Sequence, residues 1–542
     1  MVFTLHRYIF RELFRVFVLA TVALIVILSL GSILRPVQEY GVGPAQVIHL
    51  IGYFLPIFLT FVLPMAALFA AALVYGRLAS DNELDACKAS GISLLTLVYP
   101  GLALALMVTI ANLILSFHVI PAFIKRAEKS LKADAKQIVF RNIQRKGYYK
   151  PADGKYLIYA DQANPKNETL GGLLLAEIKE NRIGKITTAE NAKVHFISHD
   201  NFNEVQITAY QTFQMGIEQQ EGGFSAELLS LTKELPSMMP DDIKFEKIEK
   251  LKKIVQDPME FYPIEKQVRQ VYAQFTAELL AQNIRNKFIN EPNDYYRLNC
   301  GENFIEFIAG NCIAKQEQKV QLTGEVVIRD ATKKVLRILK CTNAIIYIEG
   351  DKLAPTLTLE MYNAKWHRPD GMEVLDRRPI IYGLLLPQEV VPENVTSNQQ
   401  VTEEFKNKAI MQAVKPDNIQ LTLEQAATSH LIVIAKELQR QINRLLVKIA
   451  AEKHFRLVFG LGCIPLIMIG IGLGIIIKGA HLLTAFGISA IPAAILIVCI
   501  MMGKNIAKNP EASLTAGILL IWSGFAFLTL LAGIIYRKLL KN

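Results

Sequence analysis

Apolar residues are concentrated near the two ends of this chain. Six stretches are apolar and long enough to cross a bilayer, whose hydrocarbon core needs about 20 helical residues. They occupy roughly 15–35, 50–76, 93–117, 455–477, 482–503 and 513–536. Polar and charged residues fill the interval between the third and fourth stretches. The pattern predicts an α-helical membrane protein with three spans, a large extramembrane insert and three more spans.

The first apolar stretch follows a basic start, as in a signal peptide. Its apolar part, 16–34, is longer than that of a typical signal, and no small-residue cleavage site precedes Arg35. We therefore expect a retained first span, and a cleaved signal is the less favoured alternative.

Basic residues flank the predicted spans unevenly. One set of flanks contains Arg7, Arg11, Arg15, Arg77, Lys88, Lys478, Arg537, Lys538 and Lys541. The short loops on the other side contain Arg35, Lys504 and Lys508. The positive-inside rule places the richer set in the cytoplasm, so both termini are expected there and the insert on the opposite side. The net charge of +10 fits this flanking role, and no basic run carries the aromatic residues typical of nucleic-acid binding.

The insert has alternating β and helical patterns. An amphipathic helix over 123–140 precedes short apolar–polar alternations broken by turn residues, which predict an antiparallel β domain resembling a jellyroll. The predicted division is 1–122 with a cytoplasmic helix at 78–92, a β domain at 123–236, a helical segment at 237–295, a second β segment at 296–392, a linker and helix at 393–454, and the last three spans at 455–542.

Two segments of the insert resemble one another. MPDDIKFEKIEKL (239–251) and KPDNIQLTLEQA (415–426) each follow β material and precede a helix rich in Gln, Arg and Leu. A duplicated β-plus-helix unit is one interpretation. Two unrelated β segments with a chance match are the other, and the pattern alone does not separate them.

Enzymatic signatures are absent from the sequence. It contains no phosphate-binding G-x-x-x-x-G-K-[ST] loop, no H-E-x-x-H pair and no nucleophile elbow, so we expect neither catalytic residues nor a metal site in this chain. GIGLG at 470–474 lies inside an apolar span and predicts close helix packing rather than nucleotide binding. One disulfide among Cys300, Cys312 and Cys341 is an option in an oxidising compartment.

Prolines within the spans predict helix kinks, because each removes a backbone hydrogen bond. They are Pro56 and Pro64 in the second span and Pro465 in the fourth.

The segment Arg77–Ser93 is polar although it joins two apolar spans. We expect a helix over 80–91, capped by Ser80 or Asp81, with early carboxylates favoured by the helix dipole. Glu83 is its central carboxylate and is suited to a charge-assisted bond with an arginine of a cytoplasmic partner. The accompanying small or apolar residues are Leu84, Ala89, Ser90 and Gly91. The alternative is a solvated loop helix without a partner.

Three features resemble the lipopolysaccharide-exporter permease family (LptF/LptG, the YjgP/YjgQ group). They are the N-terminal RYIFRELFRVF, the segment FVLPMAALFAAALVYGRLASDNELDACKASGIS (61–93), and three plus three spans around a β-jellyroll. The family implies one half of a homodimeric or heterodimeric exporter that extracts lipopolysaccharide from the bacterial inner membrane. The insert is longer than the family pattern, with an extra section at about 240–400.

The resemblance also implies partners and residue roles. Glu83 matches the coupling-helix glutamate that contacts an LptB-like ATPase, which would hold ATP and Mg²⁺ because this chain has no site for them. Arg35 matches a position where LptG-like members carry a basic residue, and it could contact lipid phosphates. A second LptF/LptG-like permease and an LptC/LptA-like periplasmic bridge complete the expected set.

The favoured interpretation is therefore a transport permease of outer-membrane biogenesis. Spans one, two and five or six would line a lateral lipid cavity, and the β domain would shield the acyl chains. The alternative is a non-transporting mechanotransmission or scaffold protein whose outer domain regulates partners.

Overall fold

The computed structural model describes most of the backbone, in the following ranges: 2–40, 44–133, 135–151, 154–179, 182–198, 203–216, 224–235, 242–292, 294–301, 303–331, 337–349, 356–367, 373–376, 379–390, 403–423, 429–477, 482–508 and 514–541. The chain divides into two compact units, Met1–Leu251 with Val447–Asn542, and Lys252–Leu446.

Six helices in the described part of the chain are long and apolar enough to cross a membrane, which confirms the predicted spans. Span one is α1 (Val2–Tyr40) and span two is α2 (Pro44–Ser80). Span three is α4 (Leu94–Ile114), which continues through a π-helical turn (Leu115–Val119) into α5 (Ile120–Ala133). Span four comprises the end of α11 (Ser429–Leu461) and α12 (Cys463–Ile476), and spans five and six are α13 (Leu482–Lys508) and α14 (Leu514–Lys541). The short helix α3 (Glu83–Ala89) lies between spans two and three.

Glycines allow α12 to pack directly on the backbone of α2. A Cβ atom on Gly470 would lie 2.8 Å from the carbonyl oxygen of Leu68, and one on Gly474 would lie 2.6 Å from that of Ala72. Real Cβ atoms do not approach a carbonyl so closely, so only glycine fits at these positions. The GIGLG stretch therefore forms a helix-packing surface, as predicted.

Pro64 leaves one carbonyl of α2 without its usual helical donor. Proline has no N–H, so the Thr60 oxygen, four residues earlier, cannot form its i→i−4 bond. Asn112 of α4 replaces that donor, with its Nδ2 3.0 Å from the Thr60 oxygen, and the asparagine is fully buried. α2 stays one continuous helix through both of its prolines, whereas span four is interrupted at Gly462, just before Pro465.

The β part of the first unit is a seven-stranded antiparallel sheet. Its strands are β1 (Tyr148–Tyr149), β2 (Tyr156–Tyr159), β3 (Gln162–Asn164), β4 (Thr169–Lys179), β5 (Arg182–Ser198), β6 (Asn203–Gly216) and β7 (Phe224–Leu235). They follow the order β1-β2-β4-β5-β6-β7, and β3 pairs with β4. Val139, Phe140 and Ile143 of α6 (Ala135–Lys146) pack against the inner face.

A crease crosses this sheet where one residue in each of four strands is left out of the pairing. The pairing register is the same on both sides of the crease. The skipped residues are Gly172, Glu190, Gln211 and Glu227. On one side of the crease β5 buries Ala192 and Val194, and on the other it buries Thr187 and Ala189. The inward positions therefore shift by one residue at the crease, which keeps one apolar cluster continuous along the sheet.

A polar contact fixes α6 to the same sheet. Glu168, in the turn between β3 and β4, accepts from the Lys136 ammonium at 2.7 Å and faces His195 Nδ1 at 3.4 Å. The lysine hydrogen bond, with a smaller contribution from the histidine, lowers the pKa of Glu168 below its ordinary value. The carboxylate thus stabilises the junction of helix and sheet.

The second unit contains a nine-stranded antiparallel sheet folded around α8 (Tyr262–Asn290). Its strands are β8 (Tyr296–Cys300), β9 (Asn303–Ile308), β10 (Asn311–Lys315), β11 (Lys319–Asp330), β12 (Arg337–Glu349), β13 (Thr356–Tyr362), β14 (Ala364–His367), β15 (Glu373–Asp376) and β16 (Ile380–Leu385). The order is β15-β14-β12-β11-β9-β8, with β10 beside β11, and with β13 between β12 and β16. Ala277, Leu280 and Ile284 of α8 are fully buried in its core.

Short helices complete the insert. A 3₁₀ turn (Ile243–Phe245) and α7 (Ile248–Gln256) follow the first sheet, and α9 (Glu403–Ala413) and α10 (Pro416–Thr422) follow the second.

All six cysteines are free thiols in the structure, so the optional disulfide of the insert is not formed. Burial raises the pKa of the Cys312 thiol to about 12 and that of Cys341 to about 11.

Candidate functional site

The polar helix α3 is shorter than the sequence predicted. It begins at Glu83 and ends at Ala89, whereas the prediction extended it over 80–91. The predicted caps are wrong: α2 continues through Ser80, Asp81 lies in the following turn, and the N-cap position is Asn82. Asn82 has a left-handed backbone (φ 58°) and no capping bond from its side chain, so the turn between the helices sets where α3 starts.

The helix has one buried and one exposed side. Leu84 is only 4% exposed and packs into the apolar cluster of α1, α2 and α4, so it anchors the helix. Glu83 and Asp85 are exposed at the first turn. The small residues Ala89, Ser90 and Gly91 are also exposed, and Gly91 has φ +80°. The structure therefore leaves Glu83 and the small residues available to a partner, while Leu84 faces inward.

Hydrogen bonds tie the surrounding helix ends together. The Tyr75 hydroxyl of α2 donates to the Leu97 carbonyl of α4 at 2.8 Å, and His6 Nε2 of α1 lies 2.8 Å from the Thr96 carbonyl oxygen. Ser93 Oγ caps α4 by accepting from the Thr96 amide at 3.3 Å. These residues were not identified from the sequence as contacts between helices. Their one signal in the sequence is a polar side chain next to or within an apolar stretch.

An ion pair adds to this connection. Arg77 Nη2, at the end of α2, lies 2.9 Å from Glu12 Oε1 of α1. The ends of α1, α2 and α4 that surround α3 are thus joined directly to one another.

A cleft of about 220 Å³ lies beside the inward face of α3. Its walls come from α2, α3, the start of span three and the ends of spans four and six. They combine apolar side chains with three charged ones. The lining residues are Ala79, Leu84, Asp85, Lys88, Leu94, Ile475, Ile476, Lys538 and Leu539.

A second feature is an apolar surface on the first sheet. Phe213 and Met215 of β6 are 48% and 41% exposed, and Leu228 of the neighbouring β7 is 58% exposed. Strand β7 pairs only with β6 among the described strands, so it forms an edge of the sheet. Exposed aromatic and aliphatic side chains at a sheet edge are suited to an apolar ligand or a partner strand.

A buried ionic cluster joins spans four and five to the turn that leaves the first sheet. Arg456 is 2% exposed and donates from Nε to Glu452 Oε1 at 3.1 Å. Its Nη1 and Nη2 donate to backbone carbonyls of the Ile243–Glu246 segment, the shortest to Lys244 at 2.8 Å. Lys504 of α13 binds the other oxygen of Glu452 at 2.7 Å. The guanidinium therefore makes four hydrogen bonds within the protein, and all three of its nitrogens donate.

The predicted lipid-phosphate residue Arg35 lies on α1, but its side chain is outside the described residues. Among the described residues, no group of histidine, cysteine and carboxylate side chains is arranged to hold a metal ion.

One protein-family model matches the chain over residues 7–262 and again over 262–538, and its description is lipopolysaccharide export system permease LptF/LptG. No curated protein sequence matches.

Proposed function

Because the chain belongs to the LptF/LptG family of lipopolysaccharide export permeases, it is a multi-pass inner-membrane transport protein, and we propose that α3 is where its ATPase docks. In this proposal a cytoplasmic ATP-binding-cassette subunit holds ATP and Mg²⁺, and this chain transmits the movement. The observation that carries the proposal is the two-sided character of α3, with Leu84 buried and Glu83 exposed.

Helix α3 is suited to transmit force because the helix ends around it are bonded to one another. Tyr75, His6 and Arg77 join the adjacent ends of α1, α2 and α4, so displacement of α3 reaches all three helices. Spans one and six bury only 22% of their most apolar windows within this chain, against 72% for span four. Spans one and six therefore offer the surface for a lateral lipid cavity and a second permease subunit, while span four forms the centre.

The first sheet of the insert would receive the lipid. With both termini and α3 in the cytoplasm, the insert is periplasmic, and the apolar surface of β6 and β7 could shield acyl chains from water. The free edge of β7 could pair with a strand of a periplasmic bridge protein by strand addition. Arg35, near the outer end of span one in this topology, would contact lipid phosphates.

Charge reversal at Glu83 tests the docking proposal. Glu83→Lys should weaken binding of the ATPase by at least about tenfold, because losing one partner of a buried interfacial charge pair costs about 2–5 kcal/mol. The matched control is Glu249→Lys, an exposed first-turn glutamate of the short helix α7. Co-purification of the ATPase and lipid-stimulated ATP hydrolysis are the measurements. Equal co-purification with both variants would contradict the proposal.

Depletion tests the substrate. Cells that lose this protein should accumulate lipopolysaccharide in the inner membrane, measured after membrane fractionation. Unchanged delivery to the outer membrane would contradict the assignment.

A further inference from the structure

Two lysines line the cleft beside α3 without an ion-pair partner in the described part of the chain. Lys88 lies in the last turn of α3 and Lys538 near the end of α14, and both are exposed. Arg77, at the end of α2, is by contrast paired with Glu12. Asp85 is the one carboxylate among the described lining residues, so two lysines against one aspartate leave a net charge of +1. The cleft therefore offers positive charge to an anion from outside the chain.

The remaining lining of the cleft is apolar. Leu94 at the start of span three and Ile475 at the end of span four are each 8% exposed, whereas the neighbouring Ile476 is 42% exposed. Hydrocarbon gains free energy when it leaves water, but a charged group needs a partner or water around it. A lining of lysines and apolar side chains therefore suits an amphipathic anion, because it meets the needs of both parts.

Lys538 also continues an exposed apolar row on α14. Phe527, Leu530 and Ile534 are 46%, 69% and 65% exposed, and Lys538 follows Ile534 by four residues. Spacings of three and four residues put these side chains on one face of the helix. A hydrocarbon chain can thus lie along this row while its anionic head group reaches Lys538.

The volume of the cleft fits a head group and excludes larger ligands. The space of about 220 Å³ corresponds to about seven water molecules at about 30 Å³ each. It holds a phosphate and the glycerol esterified to it, and the acyl chains of such a lipid would stay outside, against the spans. A helix of a partner protein, with a diameter of about 10 Å including its side chains, does not fit.

The topology favours a lipid of the cytoplasmic leaflet. The distribution of basic residues beside the spans places α3 and the C-terminal end of α14 in the cytoplasm. Anionic phospholipids attract basic groups at this surface, and basic pockets between transmembrane helices on the cytoplasmic side bind anionic head groups. A zwitterionic head group would bring its own cation near the two lysines, so charge complementarity selects an anionic one.

We propose that this cleft binds the phosphate head group of an anionic glycerophospholipid from the cytoplasmic leaflet, held by Lys88 and Lys538. The proposal rests on the proposed function, which sets the topology. Two hydrogen bonds and an ion pair join the ends of α1, α2 and α4 around α3. A phosphate bound by both lysines adds a link between α3 and the end of α14, so the bound lipid stabilises the position of α3 relative to span six.

Competition between two lipids tests the proposal. The full chain, purified in detergent, is incubated with equal amounts of phosphatidylglycerol and phosphatidylcholine that have the same acyl chains, and the bound lipid is identified by native mass spectrometry. We expect the native protein to retain phosphatidylglycerol in preference to phosphatidylcholine. The double variant Lys88→Gln, Lys538→Gln should reduce this preference at least about fivefold, the contribution of one lysine near an anionic lipid surface.

The matched control is the double variant Arg11→Gln, Arg537→Gln. Both arginines are exposed near the cytoplasmic ends of spans one and six, and neither lines the cleft. The control removes the same charge from the same side of the membrane and should keep the native preference. An equal loss in both double variants would overturn the proposal, because it would show attraction to the basic surface as a whole.

Other results separate this proposal from the docking of the ATPase. No preference for phosphatidylglycerol in the native protein would overturn the lipid proposal and leave docking at Glu83 unaffected. If the lysine variant keeps the lipid preference but loses the co-purified ATPase, the cleft accepts an acidic side chain of the ATPase, and the lipid proposal is wrong. An ATPase that binds equally well to Glu83→Lys would refute the docking proposal, whereas a lipid preference lost only in the lysine variant would still support the lipid site.

Discussion

Replacing Asn112 by leucine should destabilise the membrane part, and the cost should depend on Pro64. In the native protein the Thr60 carbonyl has lost its helical donor to Pro64 and receives one from Asn112 at 3.0 Å. Asn112→Leu keeps the size of the side chain but leaves this buried oxygen without a donor. Pro64→Ala restores an N–H at residue 64, and the carbonyl then has a partner within α2.

The magnitude follows from the environment of the amide. An unsatisfied buried polar group costs about 1–3 kcal/mol, and side-chain hydrogen bonds inside membranes average about 0.6 and reach about 1.7 kcal/mol. We therefore expect Asn112→Leu to cost about 1 kcal/mol with Pro64 present and close to nothing in the Pro64→Ala background. The weak contact of Asn112 with Cys463 Sγ at 3.7 Å is lost in both backgrounds and cancels from the comparison.

The assay is a double-mutant cycle of the native protein, the two single variants and the double variant. Reversible unfolding in mixed detergent micelles gives the free energy of each. A coupling energy within about 0.3 kcal/mol of zero, the usual limit of additivity, would show that Asn112 does not compensate for Pro64.

Three other outcomes follow from buried or paired groups. Arg456→Met should lower the thermal stability more than Lys504→Met, because it removes the more buried charge and a donor to three carbonyls. Breaking a buried ion pair costs about 3–5 kcal/mol. Equal losses of stability in the two variants would contradict this ranking. Because the pKa of Glu168 is lowered in the folded protein, its ionised carboxylate stabilises the fold fully at pH values above the ordinary pKa of 4.5. This stabilisation is lost as the pH falls through the lower folded pKa. Glu168→Gln should therefore make the midpoint of thermal unfolding fall less steeply with decreasing pH on the acid side. Cys312 and Cys341, whose thiol pKa values are about 12 and 11, should resist maleimide in the folded protein and react after denaturation.

Length and hydropathy were sufficient to predict the six spans, because a bilayer requires a long apolar run wherever a helix crosses it. The extent of α3 was not predictable in the same way. Its start depends on α2 continuing through Ser80 and on the left-handed Asn82, and neither has a hydropathy signal. The position of Glu83 on an exposed first turn was nevertheless within reach of the sequence, since short polar helices expose most of their residues.

Contacts between distant segments could not be read from the sequence. Asn112 and Pro64 each have an ordinary local explanation, and only the packing of α2 against α4 shows that one compensates for the other. The crease of the first sheet is likewise invisible along the sequence, because Gly172 and Gln211 come to lie in one row only after the strands are aligned across the sheet.

The ionic cluster at Arg456 also has a consequence for synthesis of the chain. Arg456 follows its carbonyl acceptor on Glu246 by 210 residues, and the whole second β unit is encoded between them. At about 5–20 residues per second, the ribosome needs about 10–40 s to supply the arginine after the turn has emerged. During that interval the carbonyls of the turn have no guanidinium, so the first sheet becomes fixed to span four only after the second unit has been made.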